Sequence, residues 1–167
     1  MRARLPTGRQ PAKRATPARA AKAFVGSNGL GASKSDFDTF RRMAPLSQRR
    51  VIADGFEAVI VERVARELLG VPVRTLLSAL GLPGSTILRK IANEDRLSQG
   101  ESDRIARVLY VLDLAKDLFE DQARAAEWMN RANAELDGLK PIEVLDVQPG
   151  YDRVRDILNR AQFGIAA

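Results

Sequence analysis

The stretch LSALGLPGSTILRKI, residues 77–91, decides how the rest of the chain reads. Leu76, Leu77 and Leu80 give one short helix its buried side, and Ile87, Leu88 and Ile91 give it to a second. Between them Gly81-Leu82-Pro83-Gly84 breaks the pattern, because glycine and proline both interrupt a helix. A helix-turn-helix needs such a pair, with the second helix displaying short polar and basic side chains from its first turns. Ser85, Thr86, Arg89 and Lys90 meet that need, since they share one side of a helix over 84–92. Arg89 has the reach to chelate a guanine edge, and Ser85 or Thr86 suits a phosphate or base near the helix start. Arg74 opens the supporting helix, 74–80, and joins them as a candidate DNA contact. Any αα-hairpin of a helical bundle has a similar turn, so a bare structural hairpin stands as the alternative.

Working outward, the helical pattern continues on both sides. Upstream, Phe56, Ile60, Val64 and Leu68 recur every fourth residue after Gly55, which predicts one helix with a single apolar face, stopped by Gly70. Val59-Ile60-Val61 would suit a strand, but the ERVARELL after it favours helix. Two shorter helices precede it, one carrying Phe37, Phe40 and Met43 and ending before Pro45, the other over 47–53. Downstream, Ser98 and Glu101 form a capping box for a helix of about 22 residues, or about 33 Å. Its apolar residues make two stripes, Ile105, Val108, Leu109, Leu112 and Phe119 on one side and Val111, Leu114 and Leu118 on another. Such breadth predicts burial on two sides and makes this helix the central strut. Shorter helices come next over 123–129, from Pro141, and over 151–163. The last buries Val154, Ile157, Leu158 and Ala161 and stops at Gly164. No strand pair or hairpin signal interrupts the series, so the expected fold class is all-α.

The 167 residues, 45% hydrophobic and 29% charged, suit a compact domain with a tail or two small helical modules. Cysteine and histidine are both absent, which removes disulfides, thiolate nucleophiles, histidine bases and zinc sites built on either residue. No run of about 20 apolar residues and no secretory leader are present, so a cytoplasmic location without a membrane partner is expected. The net charge of +6 is unevenly spread: residues 1–35 hold eight Lys or Arg and no acid. Residues 36–97 carry ten basic and eight acidic side chains, and residues 98–167 carry nine and thirteen. The expected organisation matches this division: a disordered basic tail over 1–35, a helix-turn-helix module over 36–97, and an acidic helical domain over 98–167. The tail reads as an arm along DNA backbone or, alternatively, as a solvated extension.

Catalytic chemistry finds no foothold. Asp113 and Asp117 stand at i and i+4 on the long helix, but Lys116 and Arg107 lie nearby and no histidine completes a metal set, so they read as a solvated acidic face. Trp128 and Met129 read as core, and no glycine-rich phosphate loop succeeds a strand. No catalytic residue, metal ligand or cofactor is therefore expected.

Two stretches resemble a known family. Residues 77–91 are similar to the Xre or Cro-type pattern, departing from it at Leu77, where a small Ala is usual, and at Lys90, where an apolar residue is common. The landmarks Trp128-Met129, Asn133, Leu136, Gly138, Pro141, Leu145, Gly150, Val154, Leu158, Arg160 and Gly164 resemble the toxin-binding domain of Xre, MbcA and ParS antitoxins, partners of RES-domain toxins. Departures are Ala132 for proline, Asp137 for glycine, Ala161 for isoleucine and Phe163 for a residue often polar. The resemblance spans about residues 55–167. It implies a type II antitoxin that blocks an NAD-degrading RES toxin, represses its own operon by binding operator DNA, and forms a homodimer within a larger toxin-antitoxin complex. It also implies that the chain's end reaches the toxin's active-site entrance, which makes Asn159, Arg160, Phe163, Gly164, Ile165, Ala166 and Ala167 the candidate toxin contacts. Arg160 alternatively satisfies carbonyls at the helix end, and Phe163 alternatively caps the core. The competing function is a free-standing transcriptional regulator dimerised by its C-terminal module.

Removing residues 1–34 is expected to leave helical content and melting temperature nearly unchanged while flattening the salt dependence of DNA binding, because up to eight phosphate contacts disappear. Circular dichroism and promoter titrations at several salt concentrations check this, and a large fall in melting temperature would reveal a structured element in the tail.

Overall fold

The computed structural model describes residues 35–164, and among them eight α-helices succeed one another in chain order. α1 (Ser35–Arg42) and α2 (Pro45–Asp54) precede α3 (Ile60–Arg63), which runs on as one π-helical turn, Val64–Leu68. α4 (Val73–Ala79) and α5 (Gly84–Ala92) form the predicted hairpin, and α6 (Gln99–Phe119) is the long helix. α7 (Gln122–Met129), two 3-10 turns (Ala134–Leu136 and Pro141–Val144) and α8 (Gln148–Gln162) complete the series. The fold is all-α as expected, the one β contact among the described residues being an isolated bridge between Glu57 and Arg96. Residues 1–34 of the expected basic tail and Ile165, Ala166 and Ala167 lie outside the described residues, while Ser35, placed in the tail by the sequence, opens α1.

α6 starts as the sequence dictates. Glu101 N donates to Ser98 Oγ at 3.3 Å, and Ser98 N donates to Glu101 Oε2 at 2.6 Å, satisfying two backbone donors that the first turn leaves over. Ile105, Val108, Val111 and Ala115 are fully buried, and the helix packs against α2 as well as α7 and α8. Lys90 Nζ adds an ion pair to the same Glu101 oxygen at 2.6 Å, tying α5 to the α6 cap.

The helix predicted from Gly55 differs from the observed one in two ways. Phe56 is not helical: its N–H donates to Ser102 Oγ at 2.9 Å and its carbonyl accepts from Leu97 N at 2.8 Å, so this segment crosses 95–97 in extended form. Gly55, at φ 84°, permits the crossing, since a Cβ there would fall 2.2 Å from the Leu97 carbonyl oxygen. Four-residue spacing does not distinguish a helical residue from an extended anchor just before a helix. Further along, the π turn closes with Leu69 N donating to Val64 O at 3.1 Å and inserts one residue into the period. Leu69, 3% exposed, consequently enters the core, where Leu68 was expected.

α1 lies across α6. Its Arg41 pairs with both carboxylates that read as a solvated acidic face, Nε to Asp113 Oδ2 at 2.8 Å and Nη2 to Asp117 Oδ1 at 3.2 Å. Arg107 instead pairs with Asp103 at 2.6 Å. Phe40 is stacked on Tyr110 with centroids 5.7 Å apart and meets Phe56 edge-on at 5.4 Å, which anchors α1 by aromatic burial as well as charge.

At the other end, α8 begins at Gln148, earlier than predicted, with Pro149 in its first turn. Gly150 sits against the second 3-10 turn so closely that a Cβ would fall 1.8 Å from Val144 O. Val154, Ile157 and Leu158 are buried as expected, but Ala161 is exposed. The apolar repeat continues past the core, and among the described residues nothing covers Ala161. Asp137 adopts φ 55°, the left-handed conformation that glycine enters without steric cost, in keeping with the glycine of the pattern it resembles.

Gly150→Ala should destabilise the fold by about 1 to 3 kcal/mol or more, because α8 must lift off the 3-10 turn; a thermal melt reads it. Glu101 yields a pH signature. Burial pushes its carboxyl up, but hydrogen bonds from Lys90 and Ser98 outweigh burial and hold it below the usual value of 4.5. The depressed pKa contributes stability that is present above pH 4.5 and is lost as pH falls through the folded-state value. Glu101→Gln should therefore cost about 1 to 2 kcal/mol at neutral pH, with the difference from the parent narrowing in acid. A gap between the melting curves that stays constant down to pH 3, about one and a half units below the usual value of 4.5, would contradict this.

Candidate nucleic-acid and protein-binding faces

The first face is built by α4, α5 and the turn between them. Val73, Leu76 and Leu77 bury one side of α4, which leaves Arg74, Thr75 and Ser78 exposed. Leu82 N donates to Leu77 O at 2.8 Å, and Leu82 itself is buried, so the turn is held by backbone and side chain together. Arg104 Nη1, reaching across from α6, donates to Leu80 O at 3.2 Å and Gly81 O at 3.0 Å. Sequence reasoning misses that anchor, because no local pattern links residues so far apart in sequence. Ile87 holds α5 to the core, with Leu88 and Ile91 half-buried beside it.

The structure brings Arg74 and Ser85 to one shallow groove, lined also by Leu77, Ser78, Leu82, Gly84 and Leu88. Arg89 is exposed one turn after Ser85 and has no ion-pair partner among the described residues. Thr86 is half-buried. Lys90 is set apart by its bond to Glu101, which explains how a basic residue occupies a position where an apolar one is common: its stem packs and its charge is neutralised. No side chain caps α5 at Pro83, so the first-turn N–H groups remain available to an acceptor such as phosphate. Arg42, Arg49 and Arg50 on α1 and α2 are also exposed without ion-pair partners among the described residues.

The second face is the end of α8 with the turn Ala134–Leu136. Asn159 and Arg160 are half-buried, and Gly164 and Phe163 are exposed, Phe163 by 72%. Phe163 does not cap the core. Arg160 does not serve the helix-end carbonyls; its guanidinium is bonded to Glu135, across in the 3-10 turn, and to Asp156 at 3.1 Å. The contact with Glu135 raises the already high pKa of Arg160 further, so it is charged at every accessible pH. Leu139 and Val147, the latter at the opposite end of α8, are further exposed apolar side chains. Among the described residues no group of His, Cys, Asp or Glu has a metal-binding arrangement, and no helix is long and apolar enough to cross a membrane.

Both faces fall within matches to known proteins. Residues 47–110 match the family described as the antitoxin Xre-like helix-turn-helix domain, and residues 114–164 match the antitoxin Xre/MbcA/ParS C-terminal toxin-binding domain. An Antitoxin Xre of Yersinia enterocolitica is 29% identical over 126 residues, covering 72% of this chain and 84% of the relative. One of Photorhabdus laumondii is 32% identical over 93 residues, covering 55% of this chain and 63% of the relative. A protein of a Sphingobium species named Prs ADP-ribosylating antitoxin is 25% identical over 148 residues, covering 83% of this chain and 92% of that relative. With the helix-turn-helix and toxin-binding domain matches succeeding one another on one continuous core, the chain belongs to the Xre/MbcA/ParS family of antitoxins, whose role is to bind and not to catalyse.

Proposed function

We propose that this antitoxin neutralises an NAD-degrading RES-domain toxin through the end of α8 and represses its own operon through α5. The observation carrying the reading is the terminal turn: the toxin-binding match runs to residue 164, where α8 has left the core and presents Phe163 and Gly164 to solvent. Asn159, Phe163, Gly164 and the Ile165-Ala166-Ala167 end form the contact segment. On DNA, Arg89 reads a base edge while Arg74, Ser85 and Thr86 position the hairpin on phosphates. A homodimer places two hairpins on paired half-sites, as helix-turn-helix proteins require. The Sphingobium relative supports a second reading, a toxin that ADP-ribosylates Prs, because that alignment takes in the largest share of this chain of the three relatives described. Co-expression with each toxin class distinguishes the two by which toxicity the antitoxin relieves.

Arg89→Ala should lower operator affinity by about 1 to 3 kcal/mol, whereas Lys90→Ala should lower thermal stability more than affinity, since Lys90 is committed to Glu101. Unchanged affinity in the double variant would remove α5 as the reader.

A chain ended after Arg160 keeps the buried face of α8 and loses Phe163, Gly164 and the three residues beyond them. It is expected to bind promoter DNA normally and fail to protect cells from the toxin at matched expression. Full protection would move the inhibitory contact back towards the region from Trp128 to Leu145.

A further inference from the structure

α8 makes its last buried contact at Leu158, and from Ala161 to Gly164 every side chain is exposed. A helix end without a buried side chain frays, because few backbone hydrogen bonds hold it. Among the described residues one side-chain tether joins this end to the rest of the protein: Arg160 Nη2 donates to Glu135 Oε2. The same carboxylate oxygen accepts from Arg153 Nη2 at 3.2 Å. Asp156 then accepts from Arg153 Nη1 at 3.2 Å and from Arg160 Nε at 3.1 Å, closing a ring of two guanidinium groups and two carboxylates. Three members belong to α8, so Glu135 alone sets the direction of the helix end against another element. Its own placement is firm: Glu135 N donates to Asn133 Oδ1 at 2.9 Å, and the neighbouring Leu136 is buried. Arg160 has its side chain only 22% exposed and directs its donors at these two acids.

We propose that Glu135 is a positioning residue for neutralisation: through Arg160 it holds the last turn of α8 so that Phe163 and Gly164 are presented in one orientation, with Arg160 its partner and not itself a toxin contact. The inference rests on the reading that the terminal segment is the inhibitory element. Ordering that segment before the toxin arrives lowers the entropy cost of docking and so lengthens the life of the complex. Because the ring is partly exposed, the effect is modest and weakens with added salt.

The test uses the full chain with purified RES-domain toxin and the variants Glu135→Ala, Glu135→Gln, Arg160→Ala and the double Glu135→Ala, Arg160→Ala. Each single variant is expected to speed toxin dissociation by about three- to tenfold and to accelerate amide exchange at residues 161–164. Promoter affinity and melting temperature should stay near the parent's. The double variant should be no worse than Arg160→Ala, because the two residues act through one contact. Additive losses, or a loss with Arg160→Ala and none with Glu135→Ala and Glu135→Gln, would make Arg160 a direct toxin contact and overturn the proposal. The chain ended after Arg160, run in parallel, separates the two levels. Its failure to neutralise, combined with unaltered dissociation in both Glu135 variants, removes only the role of Glu135; its full neutralisation removes the terminal-segment reading and the proposal together.

Discussion

Burial of α6 on two sides is the constraint on which the rest of the structure depends. A helix that must be covered by α2 on one side and by α7 and α8 on the other recruits both halves of the chain to a single core. The helix-turn-helix match ends at residue 110 and the toxin-binding match begins at 114, so both draw on the same helix with no linker between them. Its start is secured by Ser98, Glu101 and Lys90, and α1 reinforces its middle through Arg41. Loss of the cap would thus disturb α5 and the DNA face along with α6.

Charge is distributed in keeping with the two partners. On the α4–α5 hairpin Arg74 and Arg89 are exposed and free of ion pairs among the described residues, which suits the phosphate contacts proposed for them. On α8, Arg153 and Arg160 are neutralised by Glu135 and Asp156, which removes positive charge from the surface proposed to meet the toxin. The acidic excess of residues 98–167 also disfavours phosphate there.

Most of the secondary structure was legible in the sequence because its signals are local. The capping box at Ser98, the break at Gly81-Leu82-Pro83-Gly84 and the stop at Gly164 each depend on residues within a few positions of one another. The π turn was not legible, since periodicity assumes a constant 3.6 residues per turn and the inserted residue brings Leu69 inward in place of Leu68. Phe56 and Ala161 mislead for a related reason: a periodic stripe says which side would be buried, not whether a neighbour exists to bury it. The ion pairs Arg41 with Asp113, Lys90 with Glu101 and Arg160 with Glu135 join residues distant in sequence, where any of several partners of the right sign would serve. For the candidate site, the hairpin residues are legible from spacing and chemistry, whereas the end proposed to meet the toxin is legible from resemblance alone.

The unbroken run of α6 makes it a lever. At 1.5 Å per residue its 21 residues extend about 31 Å, so a tilt of about 5° at one end displaces the other by roughly 3 Å, the length of a hydrogen bond. Hinged modules would absorb such a tilt in a flexible joint. Here a sequence change that reseats α6 at its cap misaligns a surface at the far end, so a mutation along this helix acts beyond the residues it touches.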